Sequence, residues 1–91
     1  MLAVVWLDEA IADLIDIVTF IAAENPGAAR RIKSRLENAP LPLSEHPYLY
    51  PNGRVPGTRE VVVHPNYVLV YRVTVERIEI VNVLHARQEY P

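Results

Sequence analysis

The chain has no cysteine and only one methionine, one tryptophan and one phenylalanine in 91 residues. Without cysteine, disulfides and thiolate metal sites are excluded. That fits a reducing compartment. Long apolar runs are also missing. The longest, Ile11 to Ala23, is broken by Asp13 and Asp16 and does not span a membrane. The Met1 to Leu7 run lacks the basic leader and the length of a signal peptide, so the protein is expected in the cytoplasm with no membrane partner. Lysine and arginine are absent from the first 25 residues, which hold five acids: Asp8, Glu9, Asp13, Asp16 and Glu24. The rest of the chain carries all nine basic residues against six acids, so the net charge of −2 hides a split. The split allows one side of the molecule to meet an anionic partner, although two solvated helix faces of opposite sign explain it more simply. A charge this small is not a nucleic-acid footprint, and no direct DNA binding by the chain alone is expected.

Half of the residues are apolar, 51%, which predicts a globular chain, and 91 residues leave room for one domain, 1–91. Ala3 to Trp6 reads as a short strand. Asp8 is placed to accept from the open amides of a first helical turn, so a helix is expected to start there. On a helical wheel Leu7, Ile11, Leu14, Ile15, Val18, Ile21 and Ala22 share one broad face. Glu9, Asp13, Asp16 and Glu24 share the other, with Phe20 in its midst. An aromatic ring in that position is either half-covered by a loop or part of a partner surface. Asn25-Pro26-Gly27 ends this helix and opens a second, to about Asn38, that buries Ala29, Ile32 and Leu36.

Residues 39–57 hold five prolines and two glycines and read as a long connection, ordered by Leu41, Leu43, Tyr48, Leu49 and Tyr50. Strands are expected at about 58–63, 67–74 and 77–84, joined by turns at His64-Pro65-Asn66 and Val75-Glu76. The order β-α-α-β-β-β predicts an α+β fold, a helical hairpin on one face of a largely antiparallel four-stranded sheet.

The chain has no Gly-rich phosphate loop, nucleophile elbow or His-x-x-x-His pair. His46, His64 and His85 lie on separate segments, so neither a metal site nor a cofactor site is expected. What remains is a cationic and aromatic set near the strand ends: Arg59, Arg72, His85, Arg87 and Tyr90. Guanidinium groups hold phosphate or carboxylate in a fixed fork, histidine exchanges a proton near neutral pH, and tyrosine donates a proton or stacks on a base. Such a set can cleave RNA, with His85 as acid or base and Arg87 stabilising the phosphate. It can equally be structural, with Arg59 and Arg72 paired to Glu60, Glu79 or Glu89 and His85 capping a strand.

Three stretches, Val55-Pro56-Gly57-Thr58-Arg59-Glu60, Tyr67-Val68-Leu69-Val70-Tyr71-Arg72-Val73 and Val83-Leu84-His85-Ala86-Arg87, resemble the RelE/ParE superfamily of bacterial toxins. The pattern of Ala10, Asp13-Leu14, Ile21-Ala22 and Asn25-Pro26 resembles its opening helix. The resemblance implies the toxin of a toxin–antitoxin pair, held inactive by a cognate, ParD-like antitoxin. RelE-like members cut messenger RNA in the ribosomal A site, and ParE-like members poison DNA gyrase. Arg59 and Arg87 match basic positions of the RelE pattern, but Val61 and Val68 stand where RelE has a lysine and an arginine. The chain also stops at Pro91, short of RelE's C-terminal tyrosine, so Tyr90 can replace it only if the tail folds back. Removing one positioned donor typically costs about 3–4 kcal/mol of barrier. These departures favour a ParE-like gyrase inhibitor, whose target-binding surface would comprise Arg59, Arg72, His85, Arg87 and Tyr90, with Phe20 meeting the antitoxin. A RelE- or YoeB-like ribosome-dependent endoribonuclease using the same five residues, and a toxin fold that only binds its partner, are the alternatives.

Overall fold

The β-α-α-β-β-β order expected from the pattern is the order the chain adopts. A computed structural model describes residues 1–91. It contains β1 (Ala3–Trp6), α1 (Asp8–Ala22), α2 (Pro26–Asn38), a 3₁₀ turn (Leu41–Ser44), β2 (Arg59–His64), β3 (Tyr67–Val73) and β4 (Arg77–His85). The sheet order is β1-β4-β3-β2. β2, β3 and β4 form an antiparallel meander, while β1 lies parallel to β4 and pairs only with Arg77 to Ile80. The two helices lie on one face, giving the α+β architecture that the order of elements predicts.

Local chemistry sets the boundaries. Asn25 caps α2 by accepting from the Ala28 amide at 3.0 Å, with Pro26 in the first turn, where its missing N–H removes no bond. Before β2, Val55-Pro56-Gly57-Thr58 turns tightly, the Thr58 amide donating to Val55 O at 3.1 Å. Gly57 has φ +84, the left-handed position that a type II turn requires at its third residue.

The larger core cluster joins Ala10, Leu43, Val61, Leu69, Tyr71, Ile78 and Ile80, and a second joins Ile32, Leu36 and Val83. β4 reaches both clusters because Val81 is an extra residue between the pairs Tyr71–Ile80 and Val70–Asn82. This bulge shifts the alternation, so Val83 faces the helices after Ile78 and Ile80. On the other side of the sheet Val68, Val70 and Leu84 are also buried.

Two expectations need correction. The wheel of α1 put Ile11 and Ile15 toward the core, yet they are 41% and 57% exposed, and Asp13 turns inward. The inward stripe runs through Ala10, Leu14, Ile17 and Ile21. It is centred on the small Ala10, the one fully buried residue of the helix, and not on the bulkiest side chains. Asp8 also makes no capping bond. Leu7 occupies the cap position, and Asp8 and Glu9 sit in the first turn, where their charge favours the helix dipole.

The connection 39–57 contains a 3₁₀ turn, and its ordering rests on fewer apolar residues than expected. Leu43 is fully buried and Tyr50 packs against the core. Leu41, Tyr48 and Leu49 remain exposed. Polar links supply the rest: Ser44 Oγ donates to Leu2 O at 2.6 Å, and Tyr71 Oη donates to Pro47 O at 3.0 Å. Burial pushes the Tyr71 hydroxyl's pKa up, so it stays a donor.

Candidate functional site

Arg59 and Arg72 occupy neighbouring positions along the sheet but opposite faces. Arg59 is the first residue of β2, paired with Tyr71, and shares its face with Val61 and Val63. Its Nη1 donates to Tyr50 O at 2.6 Å, and its guanidinium lies 4.9 Å from the centre of the Tyr48 ring. Arg72 points away from the helices and pairs across the strands with Glu79. Arg77 donates to the other oxygen of Glu79 from Nε and Nη2, at 2.9 and 2.7 Å. The hydrogen bonds from Arg72, and then from Arg77, hold the Glu79 carboxyl below the usual carboxylate range.

His85 lies at the other end of β4. It pairs with Tyr67, five residues along β3 from Arg72, about 17 Å at strand spacing. Its ring meets Tyr67 edge-on at 5.7 Å, and Tyr67 in turn meets His64 at 5.8 Å, so three rings line this end of the sheet. His85 Nδ1 accepts from the Arg87 amide at 3.2 Å. The Arg87 side chain is exposed and makes no hydrogen bond or ion pair. Of the five residues singled out from the sequence, His85 and Arg87 are thus held next to each other, while Arg59 and Arg72 stand apart from them and from one another.

Tyr90 does fold back. Its hydroxyl donates to Asn82 Oδ1 at 3.4 Å, and Arg54 lies 5.7 Å from its ring centre. Arg54 is the hub. Its amide and side chain donate to both oxygens of Glu60 at 2.8–3.3 Å, and Nη1 reaches Gln88 O at 3.5 Å. Burial pushes the Glu60 carboxyl's pKa up, but the bonds and charge of Arg54 outweigh it, and the value ends below the ordinary one. On its other side Asn82 donates to Asp13 Oδ2 at 3.0 Å, so one polar chain links α1 through the tail to the loop before β2.

Sequence reasoning missed Arg54, Asn82 and Asp13. Arg54 stands between Gly53 and Val55 in a turn-rich stretch with no periodicity to assign it a direction. Only the Arg54/Glu60 charge pair hinted at a contact. Asn82 carried a signal, a lone amide within the otherwise apolar run Ile80 to Leu84, since a buried amide needs partners.

Phe20 is 80% exposed and stands at the rim of an open cleft of about 530 Å³ between α1 and the end of β4. His85, Tyr67, Asp13 and Asp16 share the lining. The cleft thus joins the ring expected to meet a partner to the end of the sheet that carries His85.

Residues 4–90 match the family described as ParE toxin of type II toxin-antitoxin system, parDE. Toxin RelE2 of Caulobacter vibrioides is 40% identical over 88 residues, covering 94% of this chain and 97% of that protein. Y4kP of Sinorhizobium fredii is 34% identical over 87 residues, covering 94% and 90%. A chain of the chromosomal ParDE TA system from P. aeruginosa superposes with a TM-score of 0.82 at 21% identity, covering 93% of this chain and 96% of that one. A chain of the E. coli DinJ-YafQ toxin-antitoxin complex gives 0.59 at 14% identity, covering 92% and 91%. At those identities the two structures speak to the fold alone. The family match spans nearly the whole chain, and both sequence relatives exceed 30% identity over almost all of it. The chain belongs to the ParE toxin family of type II toxin–antitoxin systems, within the RelE/ParE superfamily.

Proposed function

We propose that this toxin acts by protein–protein contact, inhibiting DNA gyrase in the cytoplasm, and that a cognate, ParD-like antitoxin neutralises it by covering Phe20 and the adjoining cleft. The observation that carries the reading is the separation of Arg59 and Arg72. They lie on opposite faces of the sheet, and both are engaged within the chain, Arg59 by Tyr50 and Tyr48 and Arg72 by Glu79. Cleavage of an RNA backbone needs several donors aimed at one phosphate, and these two cannot share one without leaving their partners. A contact surface has no such requirement. In this reading the free Arg87, with His85 beside it and Tyr90 in the folded-back tail, forms the target surface, and Arg59 and Arg72, expected from the sequence to belong to it, stand outside it at the far end of the strands.

The second reading, a ribosome-dependent endoribonuclease, draws on one observation: His85 and Arg87 are adjacent and solvent-exposed at the end of β4. Purified toxin added to ribosomes carrying messenger RNA separates the two. The transcript is expected to stay intact. Cleavage in the A site that Arg87→Ala abolishes would put the nuclease first.

A further inference from the structure

Phe20 and Asp16 are four residues apart on α1, so they project side by side from successive turns. Both border the cleft, whose other walls include Ile17, Tyr67 and Val83. A carboxylate next to the open face of an aromatic ring is suited to a guanidinium: the ring face attracts the cation and the carboxylate takes its N–H groups. Asp16 has no hydrogen-bond or ion partner within the chain, unlike Asp13, whose Oδ2 is taken by Asn82 and Val83. No lysine or arginine lines the cleft, and none occurs in residues 1–25. Its only titratable nitrogen is the His85 ring, already packed against Tyr67. No cation of this chain engages Asp16, so its carboxylate is open to one from another molecule.

The apolar walls narrow the occupant further. A second copy of this chain offers free cations at Arg30, Arg31 and Arg87, but these are flanked mostly by polar or small side chains such as Pro26 and Ala86, which reach poorly into the space against Ile17 and Val83. An amphipathic segment of a partner supplies both. We propose that the cleft is the docking site for an antitoxin segment that carries an arginine beside an apolar side chain. The guanidinium lies over the Phe20 ring and pairs with Asp16, and the apolar side chain enters against Ile17, Tyr67 and Val83. This rests on the reading that an antitoxin covers Phe20, and adds the chemistry of the segment that does so.

The test is calorimetric titration of the full-length toxin with the antitoxin produced alongside it, on four variants. Asp16→Lys is expected to weaken binding about 30-fold or more, and Asp16→Asn about 5–10-fold. Glu9→Lys, the same charge change on α1 away from the cleft, should stay within about two-fold. The Asp16→Asn loss should shrink as salt is raised, as for a partly exposed ion pair. Asp16 is exposed and unbonded, so these variants should fold, and a thermal melt checks that they do. If Asp16→Lys costs no more than Glu9→Lys while Phe20→Ala weakens binding, the antitoxin docks there without an arginine and the inference fails alone. If Phe20→Ala has no effect, the underlying reading fails and the inference with it. A toxin dimer that Asp16→Lys dissolves would make a second copy the occupant, and would also overturn it.

Discussion

The carboxylate of Asp13 on α1 accepts a hydrogen bond from the backbone amide of Val83 on β4 at 3.0 Å, across 70 residues of chain. β1 ends at Trp6, opposite Ile80, so β4 runs on without a strand partner on that side. The Val83 N–H would otherwise be an open donor at the edge of the core, and the helix supplies its acceptor. Asp13→Ala leaves this amide and the Asn82 Nδ2 group without an acceptor, and is expected to cost about 1–3 kcal/mol. Urea unfolding measures the loss, and Asp13→Glu, which misplaces the same charge, should recover little of it.

Acid should weaken the fold through Glu60 and Glu79. Both have folded pKa values depressed below 4.5. A depressed carboxyl contributes its full stability above the unfolded value and loses it as pH falls through the folded one. The unfolding midpoint should therefore drop as pH is lowered from about 5.5 to about 3. The double variant Glu60→Gln, Glu79→Gln should start less stable and lose less over the same range. Equal slopes for the two proteins would show that these ion pairs do not set the acid limit.

Arg54 should hold the tail. Arg54→Ala removes its side-chain contacts to Glu60, to Gln88 O and to the Tyr90 ring, at a cost of about 1 kcal/mol for a partly exposed pair with a cation–π contact. Amide exchange at Gln88, Glu89 and Tyr90 should speed up more than exchange in β3. Unchanged tail exchange would mean that the Tyr90–Asn82 bond suffices.

Leu43 and Leu41 stand two residues apart in the same 3₁₀ turn, one fully buried and the other 59% exposed. Leu43→Ala should cost about 2–5 kcal/mol, as expected for a leucine cut from a core. Leu41→Ala should stay within about 0.5 kcal/mol. Similar losses for both would mean that Leu41 is packed as deeply as Leu43.

The meander of β2, β3 and β4 was legible because alternation and tight turns are local signals, and all three strands fall within one residue of their expected bounds. The phase of α1 was not. A wheel weighs apolar size, whereas the small Ala10 is the one fully buried residue of α1 and Asp13 is held inward by a backbone amide far away in sequence. The burial of Val68 and Val70 on the face away from the helices shows why period two weakens in β3, whose sides are both covered. For the candidate site, the residue types could be read but not their partners. Arg72 pairs with Glu79, one of the possibilities the sequence left open. Glu60, another, is taken by Arg54, and Arg59 turns instead to Tyr48 and Tyr50. Such choices depend on strand register and loop path, which no local pattern encodes.

The most direct test of the account is the supercoiling activity of gyrase with purified toxin added in increasing molar ratio. Supercoiling is expected to be lost, the cognate antitoxin to restore it, and Arg87→Ala to weaken the inhibition. Supercoiling left untouched by a folded toxin that still binds its antitoxin would contradict it.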